Sequence, residues 1–141
     1  MEKNVLKAEK EFRVRFSEVD SMNVVWHGAY ALYFEDAREA FGEKYGLRYL
    51  YIFDHGFYAP IVELKLQYKN PLTYKDKGLI EISLRNTDAA KIIFDYTIYN
   101  LDTKKLAVIG HSVQVFMDYE FNLQWNCPDF FIEWKKMHGL L

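Results

Sequence analysis

One long helical pattern, followed by several strand patterns on short links, restricts the fold of this chain more than any other feature. Apolar residues recur at spacings of three and four from Tyr30 to Tyr45, and Gly46 follows. This periodicity predicts an amphipathic helix that ends at a glycine. On the opposite, charged face, Glu35 and Arg38 are three residues apart and are expected to pair across one turn.

Strand patterns lie on both sides of this helix. Before it, Phe12, Val14 and Phe16 alternate with arginines, which predicts a short half-buried strand. After it, the aromatic segment 47–59 has no clear periodicity and is expected to be a loop. Four further strands are then predicted at residues 62–68, 80–84, 92–99 and 106–117, and a brief amphipathic helix within residues 127–141.

Short polar links between the later strands favour antiparallel hairpins over parallel pairing. We therefore expect an α+β fold in which a five-stranded sheet, its last four strands in a meander, wraps around one long helix. The run 92–99 is apolar on both faces except at Asp95 and Thr97, so the sheet needs a second cover, which a second subunit would supply. A length of 141 residues predicts a single domain, residues 1–141.

Composition disfavours several classes of protein. The net charge of −2 gives no basic field for binding nucleic acid or anionic lipid. The N-terminal segment lacks the apolar core of a secretion signal, and no apolar run approaches the length of a membrane span. The single cysteine, Cys127, allows neither an intrachain disulfide nor a cysteine-based zinc site. A cytoplasmic location without membrane association is expected.

The segment just before the predicted helix contains the densest polar chemistry of the chain, namely Glu18, Asp20, Asn23 and His27, followed by Gly28. The first amides of a helix lack intrahelical partners and lie at the positive end of its dipole. Amides near His27 and Gly28 are therefore suited to stabilise a developing oxyanion. A nearby carboxylate, Asp20, would act as a nucleophile or as a general base for water, and thioesters suit such a site because the thiolate leaves readily.

Simpler interpretations of the same residues remain open. Asp20 is alternatively a turn residue that hydrogen-bonds its own backbone, and His27 a capping or supporting side chain that positions Asp20 or water. A metal site is not expected, because no second histidine or cysteine pair lies near Asp20 and His27. His111 lies in an alternating run and is expected to be a core or interface histidine.

The segment FSEVDSMNVVWHGAYALYFEDAREAF resembles the signature of the hot-dog-fold acyl-CoA thioesterases of the 4-hydroxybenzoyl-CoA thioesterase type. The matching features are the central Asp, the Val-Val-aromatic-His run, the Tyr inside the helix and the Glu-x-x-Arg pair. The similarity continues through PIVELKLQYKNPLTYKDKGLIEI, with Tyr68, Pro71 and Asp76, and covers residues 10–118. One departure is Met22-Asn23, where many family members have glycine, and Asn23 is expected to preserve the left-handed turn.

This resemblance implies a helix wrapped by five antiparallel strands, with dimers joined edge to edge and active sites at the dimer interface. Homodimers or homotetramers are expected. It implies that Asp20 is the catalytic carboxylate and that the His27 amide polarises the thioester carbonyl. Tyr30, Val25 and Trp26 are then assigned to substrate binding.

Two further groups are candidates for substrate contacts. Lys65 and Lys69, with Lys75 and Lys77, would meet the phosphates of coenzyme A, although outward lysines on a strand are commonly solvated. The aromatic residues of segment 47–59 would line an acyl tunnel or pack in an interface; these are Tyr49, Tyr51, Phe53, Phe57 and Tyr58.

The sequence thus predicts hydrolysis of an acyl or aroyl thioester to a free acid and a thiol, with Asp20 and His27 as catalytic residues. No cofactor is expected beyond the coenzyme A of the substrate, and acyl carrier protein is an alternative carrier. A non-catalytic acyl-CoA-binding module on the same fold, or a hydratase or dehydratase, are the rival interpretations.

Overall fold

The computed structural model describes residues 5–141, so the first four residues of the predicted domain lie outside the described residues. Its centre is a five-stranded antiparallel sheet in the order β1-β3-β4-β5-β2. The strands are β1 (Lys7–Arg13), β2 (Ile61–Tyr68), β3 (Lys77–Arg85), β4 (Lys91–Asn100) and β5 (Leu106–Val115). The helices are α1 (Ala29–Tyr45), α2 (Tyr49–Asp54) and α3 (Asp129–Met137), and a 3-10 turn spans Phe16–Glu18. The predicted sheet around one long helix is confirmed.

The helix α1 ends where its pattern predicts. Gly46 adopts a left-handed conformation with φ 72°, and its amide caps the helix by donating to the carbonyl of Gly42. Phe34 and Phe41 on the apolar face are fully buried. The short helix α3 follows Pro128, as expected for the tail.

The core forms between α1 and one face of the sheet. Phe34 stacks on the ring of Tyr96 with centroids 4.0 Å apart, and Phe41 meets the edge of Phe94 at 4.9 Å. The helix α3 closes one end of this layer, because Trp134 is buried and its indole donates a hydrogen bond to the carbonyl of Tyr45 at 2.8 Å. The other end of α1, its N-terminus, therefore lies next to the sequence-predicted site.

The position of β2 differs from the predicted meander. The strands β3, β4 and β5 are consecutive neighbours, but β2 pairs with β5, while β1 pairs with β3. The chain from β2 to β3 therefore crosses the sheet, from the β2 edge to the strand beside the β1 edge. The alternating pattern of β2 predicts a strand correctly but contains no information about which neighbour it takes.

Three local predictions are wrong. The first strand ends at Arg13; Val14 is buried, but Phe16 is exposed within the 3-10 turn. Segment 47–59 is not entirely a loop, because α2 forms inside it. Arg38 forms no ion pair with Glu35; its guanidinium instead donates to the hydroxyl of Tyr96 at 3.0 Å.

The two edges of the sheet have different character. The edge strand β1 has the sequence KAEKEFR, and such charges protect an edge from pairing with another chain. The edge strand β2 exposes apolar side chains, and Val62 and Tyr68 are 57% and 53% exposed. An apolar edge of this kind is a typical site for pairing with another strand.

Gly110 in β5 allows the helix to approach the sheet. A Cβ at this position would lie 2.3 Å from the carbonyl oxygen of Lys65 and 2.7 Å from the ring of Phe34. Since the neighbouring backbone cannot move away easily, Gly110→Ala is expected to destabilise the fold by about 2–3 kcal/mol in urea unfolding. Gly46→Ala is the control: its Cβ meets no atom within 4 Å, and its left-handed φ should cost about 1 kcal/mol. An equal or smaller cost at Gly110 would contradict this packing.

Candidate active site

Residues 18–26 form a small hairpin-like loop that leads into α1. The amide of Trp26 donates to the carbonyl of Glu18 at 3.1 Å, and the amide of Asp20 donates to the carbonyl of Val24 at 2.9 Å. Asn23 closes the turn with φ 63°, so the predicted left-handed asparagine is confirmed. The loop therefore holds Asp20 on a defined turn close to the start of the helix.

Asp20 has one carboxylate oxygen engaged within its own loop. Its Oδ1 accepts hydrogen bonds from the amides of Met22 at 2.8 Å and Val24 at 3.4 Å. Among residues 5–141, its Oδ2 has no hydrogen-bond donor, and the side chain is exposed. The turn interpretation is thus correct for one oxygen, and the other is free for chemistry.

The N-terminus of α1 offers two free amides. The helix begins at Ala29, whose own amide donates to the carbonyl of Trp26 at 3.0 Å. Within the part of the chain that the structure describes, the amides of His27 and Gly28 have no acceptor. These amides lie at the positive end of the helix dipole, where negative charge on an oxygen is stabilised.

Trp26 and His27 form the exposed surface beside these amides. Trp26 is 44% exposed and its ring meets the His27 ring edge-on, with centroids 5.8 Å apart. A Cβ at Gly28 would lie 1.9 Å from the Trp26 ring, so glycine is what allows the indole to lie against this backbone. The indole is thereby placed where it can cover a group bound at the amides.

Two tyrosines connect this helix start to β2 and the core. The hydroxyl of Tyr68 donates to the carbonyl of His27 at 3.3 Å, and the Tyr68 ring lies 5.5 Å from that of Tyr30. The buried Tyr30 hydroxyl accepts from the amide of Leu72, and burial raises the pKa of Tyr30. Val25 is also buried, its amide bonded to the carbonyl of Leu72. Of the predicted substrate contacts, Trp26 is therefore exposed to solvent, while Tyr30 and Val25 are buried beneath the loop.

The predicted phosphate-binding lysines are separated. Lys69 directly follows Tyr68 and is exposed at the end of β2 that meets the site. Lys65 lies opposite His111 on the face of the sheet turned away from α1. His111 contacts the carboxylate of Glu63, and this hydrogen bond lowers the pKa of Glu63. Of these two lysines, Lys69 is thus the one that neighbours Tyr68, whose hydroxyl contacts the carbonyl of His27.

A cavity of about 960 Å³ lies at the other half of α1. Its walls come from the second half of α1, from α2 and from the inner face of β4 and β5, and Tyr49 and Tyr51 of the predicted aromatic tunnel line it. Arg38 reaches from this wall to Tyr96, whose buried hydroxyl also bonds Ser112 at 2.5 Å. Asp20 and His27 are not among the lining residues, so the loop and this cavity of one chain are separate.

Residues 5–141 contain no group of three or more metal-ligating side chains placed to hold an ion. Across the same residues, no helix is long and apolar enough to cross a membrane.

The chain is similar to several known proteins. A model of the family described as the thioesterase-like superfamily matches residues 14–134. A Bacillus subtilis protein named "Putative acyl-CoA thioesterase YneP" is 28% identical over 80% of this chain and 81% of its own length. The chloroplastic acyl-acyl carrier protein thioesterase ATL3 of Arabidopsis thaliana is 29% identical over 80% of this chain and 60% of its own length. The structure of a DHNA-CoA thioesterase from Staphylococcus aureus matches with a TM-score of 0.82 and 25% identity, covering 95% of this chain and 92% of the other.

Proposed function

The chain belongs to the thioesterase-like superfamily and is a thioester hydrolase with a hot-dog fold, and we propose that it converts acyl- or aroyl-CoA to a free acid and coenzyme A. The sequence-based resemblance to this group is confirmed. The observation that carries the substrate proposal is the pairing of two free amides at a helix start with a loop carboxylate, Asp20.

In the proposed reaction, the thioester carbonyl oxygen binds at the amides of His27 and Gly28, which stabilise its negative charge as the carbonyl carbon becomes tetrahedral. The open oxygen of Asp20 attacks this carbon directly, or takes a proton from the water that does so. In the direct route, the C–S bond breaks as an acyl–Asp20 anhydride forms, and water then cleaves the anhydride, which gives the free acid, restores Asp20 and leaves a proton for the thiolate. In the general-base route, the attacking water supplies the second oxygen of the acid, the C–S bond breaks, and the thiolate takes up the proton that Asp20 accepted. The Trp26 ring excludes bulk water, and Lys69 meets a phosphate of coenzyme A.

The apolar edge of β2 supports a homodimer. We propose that β2 pairs with β2 of a second copy, which extends the sheet and covers Val62, Leu64 and Tyr68. In an antiparallel pairing, the Tyr68 end of one strand meets the Ile61 end of the other. Tyr68 contacts the loop with His27, and Ile61 lines the cavity, so each loop then faces the partner's cavity.

In this arrangement, the cavity of one chain is the acyl pocket for the Asp20 site of its partner. The His27 amides lie before the first residue of α1, whereas the α1 residues that line the cavity begin at Glu35. At about 1.5 Å of rise per residue, several residues of helix separate the two along the axis of one chain. The partner's cavity, rather than the cavity of the same chain, therefore completes the site. The active form of the enzyme is a dimer.

The test is thiol release from a panel of short, long and aromatic acyl-CoA thioesters and matching acyl carrier protein thioesters, followed with a colorimetric thiol reagent. We expect release from at least one CoA thioester, with the free acid as the second product. Binding of acyl-CoA in calorimetry without thiol release would favour the binding module instead. Addition or loss of water on the acyl chain with the thioester intact would favour a hydratase or dehydratase.

A further inference from the structure

Glu18 is a buried carboxylate with a full set of donors, although its neighbours in the loop are exposed. It is 8% exposed, and its Oε1 accepts hydrogen bonds from the amide of Arg15 at 2.9 Å and the hydroxyl of Tyr33 at 2.8 Å. Its Oε2 accepts from Nε of Arg15 at 3.1 Å. A buried charge with three donors is held in one orientation, because losing any of them leaves the charge poorly solvated.

The Glu18 backbone is part of the loop that presents Asp20. Its carbonyl accepts the amide of Trp26 at 3.1 Å, and Asp20 follows two residues later, bonded to Val24. The residue therefore connects both strands of the hairpin-like loop. Any movement of Glu18 shifts Asp20 on one strand and Trp26, next to the His27 amide, on the other.

Tyr33 connects this carboxylate to α1, the helix that directly follows the His27 and Gly28 amides. It lies one turn after Ala29 in α1, it is buried, and its ring stacks on Phe12 at 4.1 Å. Burial and the Glu18 carboxylate both raise the pKa of Tyr33, so the phenol keeps its proton and donates it to Glu18. The hydrogen bond from this hydroxyl thus fixes the position of the loop relative to α1.

We propose that Glu18 and Tyr33 are positioning residues, which hold the open oxygen of Asp20 at a fixed distance from the His27 and Gly28 amides. The inference rests on the proposed function, since it assigns the geometry of that site. Neither residue touches the substrate. Their hydrogen bond sets the reacting geometry, in which a displacement of about 1 Å can cost about 100-fold in rate.

The experiment compares Tyr33→Phe with Tyr45→Phe, a matched variant on the same helix. The Tyr45 hydroxyl also ties α1 to another element, since it donates to the carbonyl of Lys7 at 2.6 Å, but at the far end from Asp20. We measure kcat and KM for the best thioester of the panel, thermal unfolding, and amide hydrogen exchange in peptides that cover residues 19–28.

In Tyr33→Phe, kcat should fall by about 10- to 100-fold while KM changes by less than about twofold. Exchange in residues 19–28 should become faster. Tyr45→Phe should keep kcat within about twofold, with a similar loss of thermal stability. Glu18→Gln, which keeps one acceptor oxygen but turns an amide donor towards Nε of Arg15, should lower kcat in the same way.

A native kcat in folded Tyr33→Phe would overturn the inference, as would an equal fall of kcat in Tyr45→Phe. The native protein and Asp20→Asn, measured in the same assay, separate the positioning inference from the proposed function. If the native protein releases no thiol, the proposed function fails; if Asp20→Asn keeps its activity, the catalytic role of Asp20 fails. If Asp20→Asn loses activity while Tyr33→Phe does not, the positioning inference alone fails.

Discussion

Asp20→Asn is expected to lower kcat by about 100-fold or more while the protein stays folded. Asparagine has nearly the same size, and its amide oxygen can accept the hydrogen bonds from Met22 and Val24 that hold the loop. The second position becomes an amide group, which neither attacks an acyl carbon nor accepts a proton from water. The measurement is thiol release under saturating substrate, together with thermal unfolding.

Asp118→Asn is the matched control for this change. Asp118 also begins a turn and accepts hydrogen bonds from the amides two and four residues later, those of Glu120 and Asn122, both at 2.9 Å. It lies after β5, away from the helix start. The control should have the same thermal stability as Asp20→Asn and the same rate of thiol release as the native protein. Equal activity in the two variants would return Asp20 to a purely structural role.

The parts of the fold that the sequence predicted are those determined by local periodicity. The helix that ends at Gly46 and the strand pattern of β2 both depend on residues that are close in the chain. The neighbour of β2 depends on contacts made across the sheet, so its pairing with β5 was not predicted. The same holds for Arg38, whose partner Tyr96 is 58 residues away rather than three.

The candidate site shows the same limit. Asp20, His27 and Gly28 could be selected from the sequence because an acidic residue, an imidazole and a glycine cluster before one helix. The role of Glu18 was missed, since its partner Tyr33 lies on the helix and its burial appears only in the folded chain. The spacing of Arg15 and Glu18 around a single turn was the available signal.

Mixing two inactive variants should restore about one quarter of native activity if each site takes Asp20 from one chain and the cavity from the other. The first variant is Asp20→Asn. The second is Glu39→Trp, which places a large ring in the cavity from an exposed position of α1, where the fold tolerates it. Each homodimer then has the same defect at both sites. The first variant lacks the carboxylate, and the second has a blocked pocket.

In a mixed dimer, the two defects fall together on one site, and the other combines a native Asp20 with a native cavity. Random association makes about half of the dimers mixed, each with one working site in two, which predicts the quarter. If one chain contained a whole site, every site of the mixed dimer would carry one defect and the mixture would stay inactive. Differently tagged chains, co-purified after refolding together, show that mixed dimers have formed. Asp20→Asn mixed with Asp20→Ala is the control and should remain inactive. A mixed dimer without activity, or a fully active Glu39→Trp, would place the acyl group elsewhere than in the partner's cavity.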